Sequence, residues 1–371
     1  MDAYVPLGSG TESGSGSGSD LPRRFRLGLT ADFFNAAGEP RYREMGERLA
    51  TAYPRIEFVR LTRHEPELQP EQLVGLQGIV VLTPRVTARS LEHAADLLLL
   101  ARFGVGYDSV DVAACTARQV AVTITAGAVD RPVAEATIAW LLALTHHVRM
   151  KDRLVREGRW DDRSRYMGIE LRERTLGIVG FGGIGRRVIE LLRGFDMRPP
   201  LVFDPFVSAE QVAAVGGRLV SLDELLREAD FVSLHCPLND ATRGLIGSRE
   251  LSLMKPTAFL INTARGGIVD EDALCAALSE RRIAGAALDC FTAEPVVVPT
   301  RYDQFDNVLL APHAIAWTEE LFRDIGRMAI GGAVELLAHR RPHGLLNPTV
   351  LEHADFQSRW LRVANTDAVD G

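Results

Sequence analysis

The stretch TLGIVGFGGIGRRVIE, Thr175–Glu190, constrains the fold more than any other part of the chain. A short apolar run ends at Gly180, and Gly182 and Gly185 complete G-x-G-x-x-G ahead of a helical pattern. The spacing predicts a strand, a tight turn and a helix. The first glycine permits the turn, the second lets backbone N–H groups approach a pyrophosphate, and the third lets helix and strand pack closely. The helix N-terminus favours the anion. Taken alone, the pattern describes a plain strand-turn-helix equally well, so its context decides.

That context is a βαβ rhythm. FRLGLTAD (25–32), IEFVRL (56–61), GIVVLT (78–83) and LLLLARFGVG (97–106) read as strands, each followed by a helical stretch, at 40–53, 71–76, 88–97 and 109–119. Residues 132–160 read as a long helix, apolar nearly all round in its first half, which implies burial. The rhythm restarts with strands at 175–180, 201–204, 231–235, 258–264, 284–289 and 308–312, and helices at 183–194, 222–228, 270–280 and 318–340. Two doubly wound α/β units with parallel sheets are expected. The Gly/Ser tract at 8–20 places residues 1–24 in an unfolded arm, and 351–371 reads as a polar tail with little periodicity.

A dinucleotide site needs an acid about 20 residues past the glycines, at the end of the next strand. Asp204, in LVFDPF, stands there. Its carboxylate can take two hydrogen bonds from the adenosine ribose and would repel a 2′-phosphate. At about 4 Å and an effective dielectric of about 20, that repulsion is roughly 4 kcal/mol, against about 1.4 kcal/mol for a tenfold preference. No arginine stands at 205 or 206 to offset it, so NAD is expected rather than NADP.

The net charge of −7 argues against nucleic acid or an anionic membrane as partner. No apolar run is long enough to span a bilayer, and the first residues lack the apolar core of a signal peptide. Cys115, Cys236, Cys275 and Cys290 are scattered without C-x-x-C, giving neither a disulfide framework nor a metal site and suiting a reducing cytoplasm.

Three later stretches carry groups for chemistry. NTARGGIVDED puts Arg265 just past a strand, ALDCFTAEP puts Asp289 at a strand end and Glu294 beyond it, and LLAPHAIAWT puts His313 after the last strand. Hydride transfer to a 2-oxo acid needs such a set. A planar Arg fork holds the carboxylate, a His delivers a proton to the carbonyl oxygen, and a carboxylate keeps that His oriented. Singly, each has a plainer reading: a surface charge, a solvated turn residue, a buried histidine. It is the joint pattern that points to chemistry.

Over residues 26–350 the sequence resembles the D-isomer-specific 2-hydroxyacid dehydrogenases. The resemblance rests on GVGYDSVDV, PVAEATIAWLLAL, TLGIVGFGGIGRRV, the Asp204 strand, HCPLNDATRGLI, LINTARGGIVDEDAL, AALDCFTAEP and APHAIAWT, in that order. It implies a Rossmann cofactor domain, 128–317, inserted into a flavodoxin-like substrate domain, 25–127 with 318–350. It implies that Arg265, Glu294 and His313 are the catalytic trio. It assigns Gly180, Gly182, Gly183, Ile184, Gly185, Asp204, His235, Cys236, Pro237, Thr242, Thr263, Ala264 and Asp289 to NAD, with Asp289 on the nicotinamide carboxamide and 235–238 beside the adenine. Backbone N–H groups of loop 103–106, including Val105 and Gly106, would hold the substrate carboxylate. The family also implies a homodimer and a small 2-oxo or 2-hydroxy acid substrate.

Some positions depart from the commonest family pattern. Loop 126–131, AGAVDR, replaces a frequent proline-glycine-asparagine form. Trp317 is read as a pocket wall or as packing at the domain junction, and Arg85 as a second anion holder or a solvated surface charge. The charges of 159–171 are read as a solvated face. Glu294 argues against the formate dehydrogenases, which place glutamine at the acid-base site. Phosphite dehydrogenases keep the trio and stay open as an alternative, as does an NAD(H)-sensing binding protein without turnover.

Overall fold

The computed structural model describes residues 4–6, 24–42, 45 and 48–364. The Gly/Ser tract, part of the expected 40–53 helix and residues 365–371 lie outside the described residues. The chain divides into two compact units, Met1–Val129 with Thr318–Gly371, and Asp130–Trp317. No helix among the described residues is long and apolar enough to cross a membrane.

The first unit carries a six-stranded sheet of β1 (Tyr4–Pro6), β2 (Phe25–Leu29), β3 (Ile56–Leu61), β4 (Gly78–Val81), β5 (Leu99–Arg102) and β6 (Ala121–Thr123). Its order is β1-β3-β2-β4-β5-β6. Strands β2 to β6 run parallel in the flavodoxin-like order. β1 lies antiparallel on β3, with Tyr4 opposite Leu61. Part of the expected 1–24 arm is therefore an edge strand. Three residues ahead of a Gly/Ser tract are too few to show a period.

Helix Glu319–Leu337 returns to this unit and buries Leu321, Ile325, Ala329, Ile330, Ala333 and Leu336, an i, i+4 stripe. The expected polar tail is corrected in part: Ala354–Ala364 is a helix. Phe356 and Trp360 are buried one turn apart, and Trp360 Nε1–H donates to the Leu336 carbonyl at 2.6 Å. Arg359 adds bonds to the carbonyls of Leu97 and Gln119, each at 2.7 Å. Two apolar anchors among charged neighbours leave little periodicity to read. Segment 88–97, expected as a helix, is a run of turns with N–H bonds three residues back. Its buried apolar residues Leu91, Ala94 and Leu97 recur every three, which suits the tighter winding.

The second unit carries a seven-stranded parallel sheet of β7 (Leu176–Val179), β8 (Leu201–Phe203), β9 (Arg218–Leu219), β10 (Phe231–Leu234), β11 (Phe259–Asn262), β12 (Gly285–Leu288) and β13 (Val308–Leu310). The order β13-β12-β11-β10-β7-β8-β9 is that of a doubly wound Rossmann sheet. Alternation along the strands sorts side chains between two cores. Val232, Leu260 and Leu288 enter one, and Phe231, Ile261 and Ala287 enter the other. Both faces are dry, which explains why the strands read as unbroken apolar runs.

The expected 132–160 helix is two helices, Asp130–Thr145 and Val148–Arg156, divided at His147 with φ +52°. The Thr145 carbonyl, which would otherwise bond forward along the helix, accepts Ile169 N–H at 3.0 Å. Gly168 permits that crossing, since a Cβ there would stand 2.7 Å from the same oxygen.

Candidate active site

In the second unit β7, β8, β10, β11 and β12 are parallel, so their C-terminal ends share one edge. Chain order reverses between β7 and β10, and such a switch point leaves a crevice at that edge. Gly180 follows β7 at φ +98°, and a Cβ there would stand 2.6 Å from Cys236 N. Gly182 precedes helix Gly183–Leu191, and a Cβ on it would meet nothing within 4 Å. A Cβ on Gly185 would strike the Gly180 carbonyl oxygen, so this glycine joins helix to strand. The three glycines thus have a turn, an open cradle and a close packing contact to serve. Gly183 and Ile184 form the first turn of the helix.

Asp204 lies one residue past β8 and reaches back to the loop. Its Oδ2 accepts Phe181 N–H at 2.7 Å and its Oδ1 accepts Phe206 N–H at 2.9 Å. Across the crevice His235, Cys236 and Pro237 follow β10. His235 Nε2 lies 2.9 Å from Ser233 Oγ, while Nδ1 is buried without a partner in the structure. Burial pushes the His235 pKa down to about 3, so the ring is neutral. Burial, opposed by a backbone hydrogen bond and reinforced by Asp204, pushes the Cys236 thiol up to about 11. Thr242 hydroxyl donates to the Pro237 carbonyl at 2.6 Å and accepts Asn239 N–H at 2.8 Å, which closes the turn after β10. The open cradle at Gly182, the carboxylate at Asp204 and the orphaned Nδ1 of His235 fit a dinucleotide.

Arg265 follows β11, Asp289 and Glu294 follow β12, and His313 follows β13. Buried Asn262, which the sequence reading missed, accepts Ala264 N–H at 3.0 Å and donates to the Arg265 carbonyl at 2.9 Å. It fixes the turn that presents Arg265. An Asn just ahead of a turn is the available sequence signal for such a clamp. Thr263 Oγ1 lies 3.4 Å from Thr137 Oγ1. A side chain at Gly266 would collide with the Phe291 carbonyl, so Gly266 lets the two loops touch.

Asp289 is buried and anchors the last loop. Its carbonyl accepts His313 N–H at 2.8 Å, and its Oδ1 accepts the N–H groups of Ala314 and Ile315 at 2.8 and 3.1 Å. Burial raises its pKa against the pull of these N–H groups and of His313. These bonds hold His313 at φ +53°, a left-handed conformation that its surroundings must support.

His313 Nδ1 then meets Glu294 Oε2 at 2.9 Å, and Glu294 Oε1 accepts Phe291 N–H at 2.9 Å. Burial raises the Glu294 pKa. The bonds from His313 and Phe291, with the charges of His313 and Arg265, outweigh it and hold the carboxyl below its usual range. A carboxylate only accepts, so Nδ1 carries the proton and Nε2 is left to exchange one. The structure thus brings Arg265, Glu294 and His313 into one electrostatic group. Cys290 Sγ completes a cluster with Glu294 and His313 within 4.8 Å, but the Arg265 cation acting on the same carboxylate opposes a metal ion there.

Arg85, Val105 and Gly106 belong to the first unit. Arg85 is exposed, with its backbone tied to Pro66 and Leu68. Val105 and Gly106 sit half-buried in the loop after β5. Trp317, 54% exposed, is the last residue of the second unit.

Comparison with known proteins identifies the family. Residues 138–314 match the model of the D-isomer specific 2-hydroxyacid dehydrogenase, NAD binding domain. The glyoxylate reductase of Aeropyrum pernix is 40% identical over 280 residues, 73% of this chain and 83% of that protein. The D-3-phosphoglycerate dehydrogenase of Synechocystis sp. is 40% identical over 236 residues, 64% of this chain and 42% of that protein. The chain spans about half the length of the curated D-3-phosphoglycerate dehydrogenases it matches. Among solved structures, the NADPH-dependent glyoxylate/hydroxypyruvate reductase of Sinorhizobium meliloti, in complex with NADP and malonate, superposes with a TM-score of 0.75 at 26% identity, covering 88% of this chain and 98% of that one. A glyoxylate reductase from Paecilomyes thermophila gives a TM-score of 0.75 at 25% identity, over 89% and 100%. The chain belongs to the D-isomer specific 2-hydroxyacid dehydrogenase family.

Proposed function

We propose that the chain is an NADH-dependent reductase of small 2-oxo acids, acting reversibly as a D-2-hydroxyacid dehydrogenase. The observation that carries this reading is the 2.9 Å contact between His313 and Glu294, in the electrostatic reach of Arg265. When bound, the dinucleotide supplies or takes up a hydride. Gly182, Gly183, Ile184 and Gly185 offer it the helix N-terminus, Asp204 the ribose contact, and Asp289 a carboxamide contact. Arg265 holds the substrate carboxylate and polarises the carbonyl. His313 gives its Nε2 proton to the carbonyl oxygen, and Glu294 stabilises the protonated ring that precedes this step. The proposed substrate is a polar, moderately sized acid such as glyoxylate or hydroxypyruvate. The test is the rate of NADH consumption with glyoxylate, hydroxypyruvate, pyruvate, phenylpyruvate and 2-oxoglutarate, with D-3-phosphoglycerate and phosphite run in the oxidising direction. Rapid phosphite oxidation without 2-oxo acid reduction would replace this reading.

Cofactor choice follows from Asp204. Asp204→Asn keeps the size of the side chain and removes the charge. It is expected to raise kcat/KM with NADPH relative to NADH by about tenfold or more. An unchanged ratio in steady-state kinetics would take Asp204 out of the discrimination.

The reading includes a homodimer. Val148, Val155, Trp160 and Met167 are exposed within one short segment, and Val148 and Val155 share a helix face. Such a patch supports a protein interface. Val155→Asp combined with Trp160→Asp is expected to halve the mass measured by light scattering. Retention of the dimer mass would move the interface elsewhere.

A further inference from the structure

Loop 126–131, which departs from the commonest family form, carries one acid, Asp130, with no part in the proposed function. Asp130 opens helix Asp130–Thr145, which packs along helix Gly183–Leu191. Its carboxylate fills the space that a side chain at Gly183 would need. A Cβ on Gly183 would come 2.6 Å from Asp130 Oδ1 and closer still to Oδ2. One residue earlier, Gly182 opens on free space. The carboxylate therefore stands on the first turn of the helix whose N-terminus faces the cradle.

The neighbouring charges are largely engaged elsewhere. Arg187, which acts on Asp130 from the facing helix, pairs with Glu190 at 2.8 Å. Arg131 on Asp130's own helix pairs with Glu135 at 2.8 Å, and Arg186 lies over the Phe181 ring at 4.5 Å. Beside Arg187, the partial positive charge of the helix N-terminus attracts the acid. A pyrophosphate uses that same charge.

We propose that Asp130 is an internal anion that competes with the cofactor pyrophosphate for the helix N-terminus and so sets the affinity for the dinucleotide. The inference rests on the dinucleotide reading of the site. An ionised Asp130 opposes binding, and a protonated one does not. Burial, partly offset by Arg187, raises its pKa, which moves this change toward neutral pH. Dinucleotide affinity is then higher below that raised pKa and falls as pH rises through it.

Fluorescence titration of NADH into the full chain tests this without any turnover. Asp130→Asn and Asp130→Ala are each expected to tighten NADH binding by about tenfold near pH 8, with the gain shrinking toward pH 5. Affinities within about twofold of wild type at both pH values would overturn the proposal. So would a lower melting temperature of both variants with unchanged affinity, which would make Asp130 a helix cap alone. Absence of NADH binding by wild type and variants alike would overturn the dinucleotide reading, and this inference with it.

Discussion

Replacing His313 with glutamine is expected to lower turnover of a 2-oxo acid by about 10²- to 10⁴-fold and to leave the NADH dissociation constant nearly unchanged. The asymmetry follows from where the residue sits. His313 is placed by Asp289 through backbone bonds, which a glutamine can still make. What glutamine lacks is a titratable nitrogen bonded to Glu294. The glycine loop and Asp204 stand at other strand ends and stay intact. Stopped-flow rates beside an NADH titration separate the two effects. Full turnover in the variant would remove His313 from the proton step. A parallel loss of NADH binding would mean that the loop had collapsed.

Arg265→Ala is expected to raise KM and lower kcat together, with kcat/KM falling by about 10³-fold. The same guanidinium would hold the carboxylate in the ground state and polarise the carbonyl in the transition state, so both parameters move. Arg265→Lys keeps the charge and loses the planar fork, and should recover little of the loss. A second readout separates this role from a structural one. The Arg265 charge helps to hold the Glu294 carboxyl below its usual range. A carboxylate with a depressed pKa keeps its ion pair above that pKa and loses it as pH falls through it. Removing Arg265 lets the Glu294 pKa rise, so the acid limb of the rate profile moves to higher pH. An acid limb that stays in place would show that Arg265 does not act on the pair.

Much of the site is legible in the sequence because parallel strands end on one edge. Once β7, β8, β11 and β12 are recognised, Gly180, Asp204, Arg265 and Asp289 must lie near one another, whatever the details. His313 follows β13 in the same way. What the pattern does not carry is the support between loops. Asn262 clamps the Arg265 turn, Gly266 makes room for the Phe291 carbonyl, and Asp289 organises residues 313–315. Each depends on a backbone position brought close by folding, with no local period to announce it. Asp130 against Gly183 is the same kind of contact between residues 53 positions apart.

The fold shows the same division. The long buried strands are plain in the sequence, because their apolar runs are bounded by turn residues. β1, β6 and β9 have three, three and two residues, below the length at which alternation can be seen. The break at His147 and the helix at 354–364 are decided by distant partners, Ile169 in one case and the carbonyls of Leu97, Gln119 and Leu336 in the other.

The central claim is hydride transfer from NADH to the 2-carbon of a 2-oxo acid, giving the D-hydroxy acid. The most direct test is incubation with NADH deuterated at the transferred position and hydroxypyruvate or glyoxylate, followed by mass and chiral analysis of the product. The account predicts one deuterium on carbon 2, and the D enantiomer wherever the product is chiral. An unlabelled product, an L product, or no product while NADH remains bound would contradict it.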